Sequence, residues 1–250
     1  MAGSVEAFVE QMNKRAKELG MNETHFVTCN GLDADGHAMS AYDIALMSRE
    51  LLKHPDIMQF TTIWMDSLRD GKFTLANTNK LIRFYDGATG LKTGSTSIAK
   101  NCISATAMRD GMHLIAVVMG APTSKDRFSD ASKLLNFGFG AYAVKKVVSK
   151  GEVLADAKVE KSDEKTVPIA AKEDYAYLTK KADSVEIEKK LTLSPSYTAP
   201  LAAGEVAGKV EFYAGEKLLG SVDAVFAADV AKKKLFPTYW NILRRWMGEK

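Results

Sequence analysis

Residues 91–121 read LKTGSTSIAKNCISATAMRDGMHLIAVVMGA, and this stretch decides the fold of the first part of the chain. It holds two strand-like runs separated by Arg109-Asp110-Gly111. An Asp-Gly pair between such runs is one of the strongest short-range signals for a β-hairpin. The second run, residues 114–119, is apolar throughout, which is typical of a central strand covered on both faces. The stretch therefore predicts an antiparallel hairpin within a sheet.

Two helices are predicted before this hairpin. The first covers residues 4–20, where Ser4 suits the N-cap and Gly20 the C-terminal stop. Its apolar residues recur every three or four positions and are Val5, Phe8, Val9, Met12, Ala16 and Leu19. The second covers residues 40–55, where Ser40 and Asp43 have the spacing of a capping box. Its apolar stripe consists of Ile44, Met47, Leu51 and Leu52.

The remaining segments of this part are less regular. Residues 22–40 are rich in Asn, Asp and Gly and predict a loop with one short strand. Residues 57–89 are mixed, with a short strand in residues 72–82. A third helix follows the hairpin at residues 124–142. Its apolar face consists of Phe128, Ala131, Leu134, Leu135 and Phe139.

The pattern changes near residue 144, where helical stripes give way to strand-like alternation with Gly and Pro at the turns. Residues 214–216 predict one hairpin turn there. This texture indicates a small β-sandwich or barrel. We therefore predict a mixed α/β (α+β) domain with an antiparallel sheet over residues 1–143. A small all-β sandwich domain over residues 144–230 and an amphipathic helix over residues 231–250 complete the chain.

The C-terminal helix combines aromatic and basic residues in the way that membrane-interface helices do. One face carries Leu235, Phe236, Tyr239, Trp240, Leu243, Trp246 and Met247. Lysines and arginines flank this face and could each add about 1 kcal/mol on an anionic surface. The alternatives are a helix docked on its own domain or a contact between protomers.

Composition excludes several classes of function. The chain has 250 residues, 46% of them apolar, and a net charge of only +3, so it can form a sizeable core and has no basic stripe for nucleic acid. The four histidines show no metal-ligand spacing, and we predict no metal and no cofactor. Cys29 and Cys102 predict two buried thiols or a disulfide. No apolar run is long enough to span a membrane, and no signal peptide opens the chain.

Lys92-Thr93-Gly94 is the strip with the clearest chemical meaning. On a strand, alternation places Lys92 and Gly94 on one face and Thr93 on the other. Lys92 would supply a positive charge, a hydroxyl of Thr93 or Ser95 could donate to a carboxylate, and Gly94 would allow close backbone approach. A strand edge can also pair with an extended peptide. The alternative is a solvated lysine followed by a turn glycine.

Several blocks in their order along the chain carry a family resemblance. They are AGSVEAFVEQMN (2–13), LGMNETHFVTCNGLDADGHAMSAYDIALMS (19–48), FTLANTNKLI (73–82), residues 87–128 around Lys-Thr-Gly, and DASKLLNFGF (130–139). With them the chain resembles the low-molecular-mass penicillin-binding proteins, which are serine D-alanyl-D-alanine carboxypeptidases. The β-rich region and the tail resemble the second domain and membrane anchor of that family. The resemblance covers nearly all of the chain.

The resemblance implies a transpeptidase-like catalytic domain and an acyl-transfer reaction. A serine would attack the penultimate D-Ala carbonyl of a peptidoglycan stem peptide, D-Ala would leave, and water would clear the acyl-enzyme. Lys92, Thr93 and Gly94 match one wall of the catalytic cleft, with Lys92, Thr93, Ser95 and Arg127 as substrate-binding residues. Arg127 matches the arginine that holds the terminal carboxylate, although by itself it could be an exposed arginine at a helix start. The partners implied are stem peptides, β-lactams and the membrane surface, at the extracytoplasmic face of the cytoplasmic membrane.

The family's S-x-x-K and S-x-N motifs precede the helix at which this chain begins. Ser97-Ile98-Ala99-Lys100 and Ser162-Asp163-Glu164-Lys165 fit S-x-x-K literally, but both are interpreted as chance matches. The chain alone is therefore expected not to form an acyl-enzyme. We expect exposed apolar surface on its first domain. The alternatives are a non-catalytic envelope protein that keeps the peptide-binding wall and the anchor, and a serine β-lactamase, which the second domain disfavours.

Overall fold

The computed structural model describes residues 2–233 and residue 246 of the chain. It divides into two compact units, Met1–Ala143 and Val144–Lys250. Each unit has its own buried clusters of apolar side chains. The described residues thus form a mixed α/β unit followed by a β-rich one, and the predicted fold class is confirmed.

The first unit contains five helices and five strands among its described residues. The helices are α1 (Val5–Glu18), α2 (Ala41–Leu51), α3 (Asp56–Thr61), α4 (Leu81–Phe84) and α5 (Ser124–Ala141). The strands are β1 (Met65–Leu68), β2 (Phe73–Ala76), β3 (Ala88–Thr96), β4 (Lys100–Arg109) and β5 (Met112–Ala121). Strands β1 and β2 form a separate antiparallel pair, and β3, β4 and β5 form an antiparallel sheet in that order.

The hairpin predicted from Asp110-Gly111 joins β4 and β5. Arg109 pairs with Met112, which leaves a two-residue turn. Asp110 and Gly111 have φ values of 48° and 75°, so both lie in the left-handed region. A two-residue hairpin loop of this kind needs two such residues, and Asp-Gly supplies them at low cost. The prediction of the hairpin is confirmed.

The position of β5 in the sheet differs from the prediction. Leu114, Ala116 and Val118 belong to the cluster that packs against α5, while α2 lies against the sheet on its other side. Both faces are covered, but β5 pairs only with β4 in the part of the chain that the structure describes. The prediction of a central strand is therefore wrong for these residues. An apolar run reports the two covered faces of a strand, and it carries no information about the strand's hydrogen-bonded edges.

The helix caps and most of the buried faces of α1 and α5 agree with the prediction, but the buried face of α2 does not. The Ser4 and Ser40 hydroxyls each accept a hydrogen bond from the backbone N–H three residues later, Ala7 N and Asp43 N, at 3.1 Å. In α2 the buried residues are Asp43 and Ser48. Two residues of the apolar stripe predicted for α2 are exposed. Three of the apolar residues predicted to be buried in α1 and α5 are exposed as well. These exposed residues are Met47 and Leu51 in α2, Val5 and Phe8 in α1, and Leu134 in α5.

Buried polar residues on α2 have specific partners that explain this outcome. The Asp43 carboxylate accepts hydrogen bonds from the Glu23 backbone N–H at 2.9 Å and from the Thr24 hydroxyl at 2.7 Å. The Ser48 hydroxyl shares a 2.7 Å hydrogen bond with Ser104 on β4. Because a buried polar group that keeps its hydrogen bonds costs little, these contacts allow polar side chains to face the core. Helix α2 also fixes the segment that precedes it.

The second unit is β-rich. Its strands are β6 (Tyr142–Val148), β7 (Val153–Glu160), β8 (Thr166–Ala171), β9 (Tyr175–Lys180), β10 (Glu188–Leu193), β11 (Tyr197–Thr198), β12 (Val206–Ala214) and β13 (Lys217–Phe226). Six of them form a sheet in the order β10-β12-β13-β8-β7-β11, which is antiparallel except for the β7–β11 pair, and β6 pairs with β9. The predicted turn at residues 214–216 joins β12 to β13. Phe212 and Phe226 are fully buried at the centre of two clusters.

The proposed membrane helix falls largely outside the described residues. Of its predicted apolar face, Leu235, Phe236, Tyr239, Trp240, Leu243 and Met247 lie there, whereas Trp246 is described and exposed. No helix among the described residues is long and apolar enough to cross a membrane. The two cysteines are free thiols, and Cys29 is exposed, so the prediction of two buried thiols is wrong for Cys29.

Candidate functional site

Strand β3 carries the predicted strip at an edge of its sheet. Along the strand, Lys92 and Gly94 are exposed and Thr93 is buried. This is the alternation that strand geometry predicts. Within the described residues β3 pairs only with β4, so one line of its backbone N–H and C=O groups has no strand partner. An extended peptide could pair with this free edge.

The polar side chains of the strip are held by neighbours. The Thr93 hydroxyl shares a 2.7 Å hydrogen bond with the Thr78 hydroxyl, and the Lys92 ammonium donates to the Thr93 carbonyl oxygen. The exposed Ser95 hydroxyl donates weakly, at 3.4 Å, to the Asn101 side chain. Lys92, Thr93 and Ser95 are thus brought together with fixed hydrogen bonds. Ser95 is the least constrained of the three.

Gly94 lies opposite Cys102 in the β3–β4 ladder. A Cβ atom added at Gly94 would meet no heavy atom within 4 Å. The space beside Gly94 is therefore open, and the absence of a side chain there is not required by the packing of this chain. The geometry suits the close approach of another backbone.

Thr78 and Asn79, which precede α4, hold β3 in place through side-chain hydrogen bonds. Asn79 is almost fully buried, at 2% exposure, and its side-chain amide donates to the Gly90 carbonyl at 2.7 Å. The side-chain oxygen of Asn79 accepts from Leu81 N at 3.1 Å, which fixes the start of α4. Thr78, the residue before Asn79, is the partner of Thr93. The sequence signal for this role is the pair of asparagines in the block FTLANTNKLI, because a buried Asn needs specific hydrogen-bond partners.

The loop before α2 contacts the turn between β3 and β4. The Asp33 carboxylate accepts hydrogen bonds from the Ser97 hydroxyl at 3.2 Å and from Ile98 N at 3.3 Å. A hydrogen bond from the Thr96 side chain is the main cause that lowers the pKa of Asp33. Ser97 therefore lies in an exposed turn with a carboxylate partner. It does not face the strip from the opposite wall of a cleft.

Arg127 lies on the first turn of α5, next to β3 and β4. Its Nη1 donates to the carbonyl oxygens of Gly94 at 3.0 Å and Cys102 at 3.2 Å, and its Nη2 donates to the Ser124 hydroxyl at 3.1 Å. The residue is only 6% exposed, so the interpretation as an exposed helix-start arginine is wrong. Burial lowers the pKa of the Arg127 guanidinium. The structure thus brings Arg127 to the predicted strip through the Gly94 carbonyl.

The Arg127 guanidinium keeps unused donors. Of its five N–H groups, three make the hydrogen bonds described above. The Nε atom is buried and has no hydrogen-bond partner among the described residues. Buried donors without partners are rare in folded proteins and call for an explanation such as a site for a ligand. No cluster of three or more His, Cys, Asp or Glu side chains that could hold a metal occurs in the described part of the chain.

Two family models match the chain. The model described as D-alanyl-D-alanine carboxypeptidase matches residues 1–123, and the model described as penicillin-binding protein 5, C-terminal domain, matches residues 142–232. The first match contains the whole Lys-Thr-Gly strip and ends at the N-cap of α5. The second match contains strands β6 to β13.

Curated relatives align along nearly the whole chain. The D-alanyl-D-alanine carboxypeptidase DacF of Bacillus subtilis is 39% identical over 100% of this chain and 64% of its own length. The corresponding enzyme DacD of Escherichia coli is 32% identical over 94% of this chain and 61% of its own length. The chain thus spans less than two thirds of the length of these curated relatives.

Solved structures show the same likeness. Penicillin-binding protein 5 of Haemophilus influenzae matches with a TM-score of 0.62 and 31% identity, over 92% of this chain and 68% of that one. The peptidoglycan synthesis regulatory factor PBP3 of Streptococcus pneumoniae matches with a TM-score of 0.71 and 25% identity, over 92% and 71%. Family models, relatives and folds agree, and the chain belongs to the D-alanyl-D-alanine carboxypeptidases, the low-molecular-mass penicillin-binding proteins.

Proposed function

We propose that this chain supplies the substrate-binding wall and the second domain of a serine-type D-Ala-D-Ala carboxypeptidase. The enzyme would remove the terminal D-Ala from peptidoglycan stem pentapeptides through an acyl-enzyme and would be inhibited by β-lactams. The observation that carries this proposal is the exposed edge of β3, where Lys92 and Gly94 face solvent and the strand lacks a partner on one side among the described residues.

The edge strand would align the peptide by backbone pairing. A stem peptide lying antiparallel or parallel to β3 would exchange N–H···O=C hydrogen bonds with it, as in other cases of strand addition. Gly94 would let the two backbones approach without steric conflict, because the space beside it is open. Lys92 would place a positive charge near the acidic end of the peptide, and Ser95 would offer a hydroxyl.

Arg127 would act at the same end of the strand. Its unpaired Nε–H and remaining Nη2 proton could together donate to one carboxylate, because guanidinium binds carboxylates through pairs of N–H groups. In the present arrangement the Nε atom is buried, so the carboxylate would have to displace neighbouring atoms to reach it. The hydrogen bond from Arg127 to Gly94 O would meanwhile hold the wall in place.

The acyl-transfer step needs a nucleophile that faces this wall. A serine Oγ would attack the penultimate carbonyl, its proton would pass to a lysine and then to the leaving amine of D-Ala, and water would release the shortened peptide. Ser97 is bonded to Asp33 in an exposed turn, and Ser162 donates to Glu164 in the turn between β7 and β8. Neither is placed for attack, and we expect these 250 residues by themselves to form no acyl-enzyme.

Penicillin labelling tests both parts of the proposal. The isolated chain should show no covalent adduct with a fluorescent penicillin. A chimera should regain labelling when the part of the Bacillus subtilis relative that precedes the matched region is joined to residue 1. Lys92→Ala in that chimera should lower the labelling rate by roughly 100-fold, whereas Lys100→Ala at the neighbouring turn should change it little. Labelling of the isolated chain at Ser97 or Ser162 would refute the assignment of the nucleophile.

A peptide-binding envelope protein without catalysis is the alternative. Both functions predict that the chain binds a peptide ending in D-Ala-D-Ala at β3, so binding does not separate them. The chimera does, because a non-catalytic wall would remain unlabelled after a nucleophile is supplied. We favour the enzyme, because a relative named as a D-alanyl-D-alanine carboxypeptidase aligns with the full length of this chain.

The location proposed is the extracytoplasmic face of the cytoplasmic membrane. The β-rich second unit would hold the first unit away from the membrane, and the aromatic and basic tail would bind the membrane surface. Deleting residues 232–250 should release the chain from anionic liposomes. Unchanged sedimentation with the liposomes would remove the tail from the proposal and would leave the peptidase function untouched.

A further inference from the structure

A cavity lies between α4 and the first turns of α5, in the first unit. It has a volume of about 410 Å³ and is more open to solvent than enclosed. This volume falls at the lower end of the range typical of small-molecule sites, roughly 300 to 1,000 Å³. The residues that matter for its chemistry are Lys80, Phe84, Lys125, Phe128, Ser129 and Ser132. None of them belongs to the Lys-Thr-Gly strip.

The charge of this cavity is positive and uncompensated. Lys80 and Lys125 both line it, and neither side chain has a hydrogen-bond or ion-pair partner within the described ranges. The two acidic residues in the first turns of α5 are already occupied. Asp126 accepts from the Thr123 hydroxyl at 2.7 Å, and Asp130 pairs with Lys133 at 3.0 Å. Two lysines therefore line the cavity, and no acidic residue does.

The remaining surface of the cavity is largely apolar. Phe84 is 71% exposed, although large aromatic side chains are usually covered. The Arg83 guanidinium lies 5.4 Å from the centre of the Phe84 ring, and the Arg127 guanidinium lies 4.7 Å from that of Phe128. Such cation–π contacts favour the observed positions of the two rings.

We propose that this cavity binds a small amphipathic acid. Its carboxylate or phosphate would lie between Lys80 and Lys125, with the hydroxyls of Ser129 and Ser132 as further donors. Its aromatic or branched apolar group would rest on Phe84 and Phe128. A neutral apolar molecule would leave the two charges unused, and an inorganic anion would leave the phenyl rings exposed, so the combination of both features identifies the ligand class. This site is separate from the β3 edge and is independent of the proposed peptidase function.

Titration of the ¹⁵N-labelled full chain with 3-phenylpropionate, followed by NMR, tests the proposal. Phenyl phosphate serves as a second probe that distinguishes a phosphate from a carboxylate ligand, and neutral 3-phenylpropionamide serves as the control. We expect shifts centred on residues 80–84 and 124–132. The amide should bind about tenfold more weakly than the acid, because it loses two charge interactions worth about threefold each or slightly more.

Variants then assign the charges. Lys80→Met and Lys125→Met should each weaken 3-phenylpropionate about threefold, and the double variant about tenfold. Lys133→Met is the matched control on the same helix, because Lys133 does not line the cavity and pairs with Asp130. Equal binding of acid and amide, unchanged binding in the double variant, or shifts confined to residues 92–95 would each overturn the proposal. Shifts produced only by anionic phospholipid vesicles, and not by the small acids, would also overturn it in favour of a membrane contact.

Discussion

The two units of the chain differ in how completely their polar groups are hydrogen-bonded and their aromatic side chains are buried. Both buried side-chain donors without a partner among the described residues, Trp64 Nε1 and Arg127 Nε, lie in the first unit. So do Phe60, Phe84 and Phe137, which are each at least 67% exposed. The second unit instead buries Phe212 and Phe226 almost completely.

This difference separates a unit that binds from a unit that supports. An unpaired donor or an exposed aromatic ring costs stability in the free chain, and it is usually retained where another molecule supplies the missing contact. Strand β3, Arg127 and the cavity beside α5 are all in the first unit. Residues 144–233 of the second unit contain no comparable group, which suits a spacer domain, and the exposed Trp246 belongs to the proposed membrane-binding tail. Each prediction below tests this contrast.

Phe212→Ala should give the largest effect, and only in the second unit. Phe212 is fully buried and stacks on Tyr175 with ring centres 4.4 Å apart. Its removal leaves a cavity and should cost about 3–5 kcal/mol of unfolding free energy. Hydrogen–deuterium exchange followed by mass spectrometry should show faster exchange across residues 144–233 and unchanged exchange across residues 2–143.

Leu135→Ala is the reciprocal variant, since Leu135 is 1% exposed in the core of the first unit. It should accelerate exchange in residues 2–143 alone. Leu218→Ala, at a residue that is half exposed, controls for the loss of a surface side chain and should change little. If either core variant loosened both units, the chain would unfold as one cooperative body and the contrast between the units would lose its basis.

Arg127→Met should have the next largest effect. The substitution removes the donors that bond the carbonyl oxygens of Gly94 and Cys102, and it leaves those acceptors without this partner. We expect a loss of about 2 kcal/mol from the unfolding free energy of the first unit, measured by urea denaturation. Arg127→Lys should recover only part of this loss, because a single ammonium cannot reproduce the planar fork.

Lys133→Met on the same helix is the control for Arg127. Its ion pair with Asp130 is exposed, so the variant should stay within about 0.5 kcal/mol of the parent. A similar small loss in Arg127→Met would mean that the guanidinium does not brace the strip. It would then act only through a ligand, and the unpaired Nε would be the more important feature.

Local signals in the sequence predicted much of the fold. Asp110-Gly111 is sufficient for a two-residue hairpin loop, because the loop needs left-handed backbone conformations only at these two residues. The caps at Ser4 and Ser40 are equally local. The change of texture near residue 144 falls where the two compact units divide. Features of this kind depend on neighbours along the chain, which a sequence displays directly.

Features that depend on distant contacts escaped prediction. Among the described residues β5 lies at an edge of its sheet, and which strand lies beside it is not encoded in the residues of β5. Burial of Asp43 and Ser48 depends on partners 20 and 56 residues away. At the candidate site, alternation placed Lys92 and Gly94 on the exposed face, but the roles of Thr78 and Asn79 beneath the strand became visible only in three dimensions. The hydrogen bond from Arg127 to Gly94 O likewise joins residues that are distant in the sequence.

Acidification should destabilise the first unit through His113. Burial lowers the pKa of His113 in the folded chain, and its Nε2 shares a 2.8 Å hydrogen bond with the Thr89 hydroxyl. In the unfolded chain the pKa returns to about 6.5, so the unfolded state binds more protons between the two values. The contribution of His113 to stability is therefore complete above pH 6.5 and declines as the pH falls below it.

Urea denaturation of the parent and of His113→Gln at pH 7.5 and pH 5.5 measures this effect. The parent should lose more stability than the variant over this interval, and the difference between the two losses is the contribution of His113. The second unit contains no histidine, so its exchange should not show this histidine-linked change. Equal losses in parent and variant would show that His113 titrates normally in the folded chain.

Gly94→Ala should have the smallest effect on stability and a clear effect on binding. A Cβ atom there meets nothing within 4 Å, so the folded chain accepts it, and the unfolded chain loses some entropy. The unfolding free energy should change by less than about 0.5 kcal/mol, whereas binding of a peptide ending in D-Ala-D-Ala should weaken because the methyl group occupies the open space. Gly208→Ala in the second unit is the opposite case, since its Cβ would overlap the Thr192 carbonyl oxygen and destabilise that unit. The first glycine leaves room for another molecule, and the second leaves room for the chain itself. A Gly94→Ala variant that melts early, or one that binds the peptide as well as the parent does, would break that distinction.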